Sequence, residues 1–231
     1  SVMVGFTKKN LFKKLLKTKK KTKLHINLTE NSQKYLRTIV KLKNLNFFNL
    51  LFANKSLKKN LKKRIDLQFK NYIKIYGNKK LSIDGHQHVH IIPWIHNYIT
   101  NKKNISIKEI RYPDEKINIY GYENLFKIQF YRNLIALFLV KILILFLRRK
   151  KKSPVFFGLL YSGMYNEKIL IKNFKHVDKK KETEILIHGG YTNNSERNLF
   201  QKKFFDYYTN KSSKVQYKLA FKKYIWKFKF Y

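Results

Sequence analysis

Between Ser56 and Tyr76 an apolar side chain returns every fourth residue, at Leu57, Leu61, Ile65, Phe69 and Ile73. That spacing keeps one face of an α-helix apolar, so it predicts an amphipathic helix that must bury its stripe against another element. Gly77-Asn78 ends the pattern in the manner of a helix C-cap, where a left-handed residue closes the last turn. What flanks the helix then decides the fold class. Leu24 to Thr29 alternates apolar and polar residues and reads as a strand with His25 on one face. Lys80 to Asp84 reads as a second strand, Trp94 to Thr100 as a short helix, and Ile105 to Arg111 as a third strand closed by Tyr112-Pro113. Glu184 to Gly190 reads as a strand that delivers His188 to a glycine turn. Strands alternating with helices imply an α/β protein with a parallel sheet, either barrel or open.

The remaining segments fit that plan. Ser1 to Phe6 is short, apolar and strand-like, and Leu11, Leu15 and Leu16 give the lysine-rich stretch after it a helical spacing. Phe126 to Leu147 is the most hydrophobic part of the chain. Its densest run, Leu134 to Leu147, falls short of the roughly twenty residues that span a bilayer, and it ends in the cationic cluster Arg148 to Lys152. It reads as a buried core helix. No repeat and no linker divides the sequence, so residues 1–231 read as one domain whose tail, 194–231, starts helical and becomes basic and aromatic.

Composition narrows the chemistry. There is no cysteine among the 231 residues, which excludes disulfides and thiolate ligands and leaves His, Asp and Glu for any metal. Lys and Arg number 52 against 13 Asp and Glu, a net charge of +39. Such a chain attracts polyanions in a salt-dependent way. The excess is nearly all lysine, spread along the chain and accompanied by abundant Asn, Ile, Phe and Tyr. Genome composition accounts for that pattern without a dedicated nucleic-acid function. No signal-peptide pattern opens the chain, so a cytoplasmic protein is expected. The first residue is Ser1 rather than Met, which reads as a fragment whose start is missing.

Seven histidines remain as candidate ligands. Three strand ends carry one: His25, His86 and His188. In parallel α/β folds such residues gather at the carboxyl ends of strands even when far apart in sequence. Neutral imidazole suits divalent transition metals. In Asp84-Gly85-His86-Gln87-His88-Val89-His90, alternation puts three imidazoles on one side if the segment is extended, and Asp84 is spaced to orient an imidazole. His96 and His176 lack such context and read as surface residues.

The stretch Asp84 to His90, followed by Pro93, closely resembles the hallmark of the YdjC-like carbohydrate deacetylases, a family that includes chitooligosaccharide and hopanoid-biosynthesis-associated deacetylases. Leu24 to Glu30 is similar to the family's G-L-H-L-N-L-T-E-G strand, and Gln68 sits where the family often has a glutamine. Glu109 to Pro113, Phe157-Gly158-Leu159 and Glu184 to Gly190 resemble three further family segments in the same order. The resemblance implies a distorted (β/α) barrel of the polysaccharide-deacetylase kind. It also implies a divalent metal, magnesium or zinc, held by one Asp and two His, with acetyl groups removed from N-acetylated sugars or glycolipids. Carried over by motif, His25 and His86 are the metal ligands. His188 assists proton transfer to the departing amine, Asp84 joins it in the catalytic set, and His88, His90 and Arg111 line the site. Water activated at the metal attacks the acetamide carbonyl while a carboxylate acts as general base.

Two departures stand out. The family's first strand ends in Asp-Asp-Phe-Gly, which supplies the third ligand and the base. Ser1 to Val4 instead resembles the second strand, so the first strand and helix are expected to be missing and these 231 residues to be inactive or weakly active. Gly189 replaces the usual proline after His188. The alternative reading is a degenerate, non-catalytic basic protein that binds nucleic acid through tracts such as Tyr217 to Tyr231, or an anionic membrane surface. In the latter case Leu134 to Leu147 would make peripheral membrane contact, with Arg148 to Lys152 at the lipid.

Overall fold

A computed structural model describes residues 3–4, 16–17, 22–29, 45–77, 80–147, 153–175 and 182–186. The readings made for 187–190, 194–231, His176 and Arg148 to Lys152 lie outside these residues. The chain clusters into two compact units, Ser1–Arg111 with Leu143–Ser153, and Tyr112–Ile142 with Pro154–Tyr231.

The first unit holds a three-stranded parallel sheet of β1 (Leu24–Ile26), β2 (Lys80–Gly85) and β3 (Ser106–Ile110), in that spatial order. Between β1 and β2 run α1 (Phe47–Leu51) and α2 (Lys55–Tyr76), and between β2 and β3 a 3-10 segment (His86–Ile91) and α3 (Pro93–Thr100). The stripe on α2 forms as its spacing requires, with Leu61, Ile65 and Phe69 buried. Asn54 starts the helix, its side chain accepting the Leu57 N–H at 2.8 Å. Gly77 stops it at φ 66°, where its N–H reaches the Ile73 carbonyl at 2.7 Å. Pro93 opens α3 at the position where a missing N–H costs nothing.

β1 is shorter than the alternation suggests. Asn27 turns the chain out of the ladder, its side-chain oxygen accepting the Thr29 N–H at 3.1 Å. Helix α2 then fixes both ends of this strand. Gln68 pairs with the Asn27 backbone, accepting its N–H at 2.9 Å and donating to its carbonyl at 3.0 Å. Tyr72 donates to the Thr22 carbonyl at 2.9 Å. Of the strand expected over Ser1 to Phe6, Met3 and Val4 are described, and neither is in a strand.

The second unit holds a two-stranded parallel sheet of β4 (Val155–Phe157) and β5 (Thr183–Ile185), with α5 (Glu167–Lys175) between them in sequence. Its core is aromatic. Tyr161 is buried, donates to the Asn118 carbonyl at 3.0 Å and accepts the Tyr120 N–H at 2.5 Å. The class is therefore α/β with parallel strands, which among the described residues fall into these two sheets.

Two readings need correction. The apolar run forms α4 (Ile128–Leu145), yet it is not a buried core helix. Phe130, Asn133, Leu137, Val140 and Ile144 are buried, while the opposite face, Ile135 (61% exposed) and Leu145 (81%) among it, meets solvent. Apolar residues all round a helix give periodicity no face to report. His96 is the second correction: it is buried rather than superficial. It sits on α3 with Ile92, Ile95 and Ile99, the i, i+3, i+4, i+7 spacing of an inward stripe.

Candidate active site

The parallel register sets His25 of β1 directly beside Asp84 of β2. Neighbours in a ladder project to the same side, so two residues far apart in sequence meet. His25 Nδ1 lies 2.7 Å from Asp84 Oδ1. The second carboxylate oxygen, Oδ2, pairs with Arg111 Nη1 at 2.6 Å, the arginine arriving from the residue just after β3. β1, β2 and the residue that follows β3 thus contribute one member each to a His–Asp–Arg row. Lys23, just before β1, and Glu109 of β3 add an ion pair.

Asp84 is fully buried. Burial by itself would push its carboxyl pKa up, but the hydrogen bond from His25, together with the Arg111 guanidinium, outweighs it and holds the group well below the usual carboxylate range. The carboxylate is therefore charged and can only accept. Accepting at Nδ1 puts the imidazole proton there and leaves the lone pair of His25 on Nε2, the tautomer that suits a metal ligand.

Gly85 ends β2, and the chain then leaves the extended conformation. Gln87 and His88 have φ of 50° and 57°, in the left-handed region that side-chain-bearing residues rarely occupy. This corrects the expectation of an extended His-x-His-x-His strand, because the three imidazoles do not share one face. His86 remains next to His25, their ring centroids 5.7 Å apart in an edge-to-face arrangement. His88 is half-buried on the turn. His90 points inward: it is 1% exposed, and its Nε2 donates to the Arg111 carbonyl at 2.6 Å. Burial lowers its pKa from 6.5 to about 4, against the opposing effect of that hydrogen bond and of Asp84, so the ring is neutral near pH 7. Its Nδ1 packs against Gly85, where an added Cβ would lie 2.7 Å away.

The structure thus brings together His25, Asp84, His86 and Arg111, with His90 bracing the Arg111 backbone from behind. His188 lies outside the described residues. The ion pair of Arg111 with Asp84 was not foreseen, nor was the left-handed turn. Asp84-Gly85, the dipeptide that usually marks a turn, is still part of β2, and the left-handed residues follow at Gln87 and His88. Among the described residues no group of three His, Asp or Glu side chains could hold a metal ion. Two imidazoles, one with its tautomer fixed by a buried carboxylate, suit part of a divalent site. A third ligand would come from outside these residues.

A family model described as YdjC-like protein matches residues 1–220 of the chain, the family whose motifs these segments resemble. Neither a curated protein nor a solved structure matches it.

Proposed function

The chain belongs to the YdjC-like protein family, and from that membership we propose a metal-dependent hydrolase of the carbohydrate-deacetylase type that removes acetyl groups from N-acetylated sugars or glycolipids. The observation that supports this best is the 2.7 Å bond from His25 Nδ1 to Asp84, which occupies that nitrogen of a ring lying edge-to-face with His86. In this reading His25 and His86 hold a divalent ion, magnesium or zinc. When bound, such an ion polarises a carbonyl and lowers the pKa of water. The chain's own residues supply orientation. Asp84 fixes the His25 ring, Arg111 fixes Asp84, and His90 fixes the Arg111 backbone. His188 carries the proton to the amine as the C–N bond breaks, and acetate leaves with the oxygen of water. The distorted barrel of the family is the fold proposed to close around this site.

Asp84 is a positioning residue here and a poor general base. Both of its oxygens are engaged, and its proton affinity is far below what base catalysis near neutral pH favours. The 231 residues contain no Asp-Asp-Phe-Gly. A polypeptide of these residues alone is therefore expected to bind metal weakly and to release little acetate. Calorimetric titration with zinc and with magnesium tests the ligand assignment. His25→Ala and His86→Ala should each weaken binding at least tenfold, and unchanged affinity in both would refute the assignment.

The reading as a nucleic-acid-binding protein has one feature in its favour. A cleft of about 410 Å³ is lined by Lys55, Lys58, Lys59, Lys62, Lys63, Asp66 and Tyr98. Lys58 lies 5.8 Å from the Trp94 ring and Lys62 5.1 Å from the Tyr98 ring, a cationic and aromatic surface that suits a phosphate-bearing strand. RNA binding that weakens steeply with salt and is lost in Lys58→Ala/Lys62→Ala would favour it over the deacetylase.

A further inference from the structure

We propose that the outward face of α4 docks onto an anionic lipid bilayer, with the helix lying in the interface rather than crossing it. Ile128, Tyr131, Ile135, Phe138, Ile142 and Leu145 follow one another at spacings of three and four, so they form a single stripe along the helix. All six are exposed. Phe126, just before the helix, is 88% exposed and extends the stripe at its N-terminal end. Scattered exposed apolar residues need no explanation, but a continuous stripe of this length marks a surface that meets something apolar.

The opposite face excludes a free transmembrane span. By length and composition α4 is apolar enough to cross a membrane. Asn133, however, is buried and donates to the carbonyls of Leu160 and Ser162, both at 2.9 Å. Phe130, Leu137 and Val140 are buried on the same side. A helix fixed to its own fold by one face offers only the other to lipid, the situation of an interfacial amphipathic helix.

Charge selects the occupant. From Leu125 to Ser153 the sequence has no Asp or Glu, whereas Lys127, Arg132 and the run Arg148 to Lys152 are cationic; Lys141 is already paired with Asp114 at 3.0 Å. Basic residues close in sequence to an apolar interfacial helix match an anionic leaflet. A second copy of the chain brings the same +39 and is repelled.

Flotation of the purified chain with vesicles of phosphatidylcholine and phosphatidylglycerol in equal amounts tests this, with vesicles of phosphatidylcholine alone as the comparison. The chain should float with the mixed vesicles and remain partly bound at roughly 1 M salt, where screening confines lysine attraction to about 3 Å. The exposed pair Ile135→Ser/Phe138→Ser should lower the bound fraction at high salt roughly tenfold or more, without changing the melting temperature. Phe138→Trp, read by quenching from brominated lipid, should report contact with acyl chains and decides the matter if the double variant folds poorly. Three results would each overturn the proposal. The wild-type chain could fail to float. Flotation could be equal in wild type and Ile135→Ser/Phe138→Ser, with Phe138→Trp unquenched, which is lysine attraction alone. A wild-type dimer without vesicle binding, converted to monomer by Ile135→Ser/Phe138→Ser, would assign the face to a second copy.

Discussion

Among the described residues each unit buries one carboxylate completely enough to need an account, and the two are held by opposite means. Asp84 in the first unit sits between an imidazole and a guanidinium. Glu115 in the second is 2% exposed and accepts the backbone N–H groups of Leu159 and Leu160 at 2.7 and 3.0 Å. Burial raises the pKa of both. For Asp84 the His25 hydrogen bond and the Arg111 guanidinium reverse the direction, whereas for Glu115 the amides of residues 158–160 and the nearby Lys141 fall short, and its pKa stays raised. Amide dipoles satisfy hydrogen bonding and shape a turn. Holding a charge ready inside a protein takes opposite charge, and the unit that has it is the one with the candidate site.

The largest expected effect comes from removing the charge of Asp84 while keeping its shape. In Asp84→Asn one oxygen remains for either His25 or Arg111, and the new amide donor faces the N–H of whichever partner is left. Breaking a buried pair from one side typically costs about 3–5 kcal/mol, and Arg111 and His25 are mostly shielded from water in the fold. Denaturant unfolding at neutral pH should register a loss of about 3 kcal/mol. Metal affinity should fall about 10- to 100-fold, as when the carboxylate behind a histidine ligand is lost. If Asp84→Asn is as mild as Glu115→Gln, the contrast between cation-held and amide-held carboxylates is wrong.

Next in size is the pH dependence set by His90. Its folded pKa, about 4, lies below the ordinary 6.5, so the unfolded chain takes up the proton first. The contribution is full above 6.5 and is lost as pH falls toward 4, a change on the order of 3 kcal/mol. Asp84 keeps its stabilisation through that window because its own pKa is lower still. Unfolding free energies between pH 7 and pH 4 should therefore fall by about 3 kcal/mol more in the wild type than in His90→Gln. Equal slopes would mean that His90 is not the buried neutral ring described.

Local pattern made much of this architecture legible. The stripe from Leu57 to Ile73 gave α2 and its Gly77 stop, and alternation gave β1 and β2, because these signals depend on neighbours in sequence. His25 and Asp84 were both singled out, yet their contact depends on strand register. The His86 to His90 turn was misread because His-x-His-x-His imitates a strand. What overrides it is tertiary, namely the His90 bond to the Arg111 carbonyl and the packing of that ring on Gly85. On α4 the inward face is chosen by where Asn133 finds its two carbonyl partners. No window along the sequence contains that information.

Gly85→Ala probes the same packing with a smaller change. Gly85 has φ −148° and ψ 145°, an extended conformation open to any residue, so the substitution meets no backbone penalty. The added methyl would instead stand 2.7 Å from His90 Nδ1 and 3.1 Å from the His90 backbone nitrogen. Overpacking of this kind costs about 1–3 kcal/mol. Thermal unfolding should show a loss of about 2 kcal/mol, and replacing His90 with a smaller residue in the same chain should recover part of it. Full tolerance would mean that His90 is not wedged against β2.

The smallest effect is expected at Glu115, where its sign is the informative part. Glu115→Gln keeps an oxygen that can accept from Leu159 and Leu160, so the loss near neutral pH should be about 1 kcal/mol or less. A carboxyl with a raised folded pKa contributes stability that is fully present below its ordinary value and is lost as pH rises through the folded one. Glutamine does not titrate. The wild type should therefore lose its advantage over Glu115→Gln as pH rises above the ordinary glutamate value, the opposite of what a charge-holding carboxylate such as Asp84 does on leaving the acid range. Unfolding free energies of the two chains at pH 4 and pH 8 measure this directly. An advantage that grows with pH would mean that the amides and Lys141 hold Glu115 as a charge after all, and that the two units bury their carboxylates by the same means.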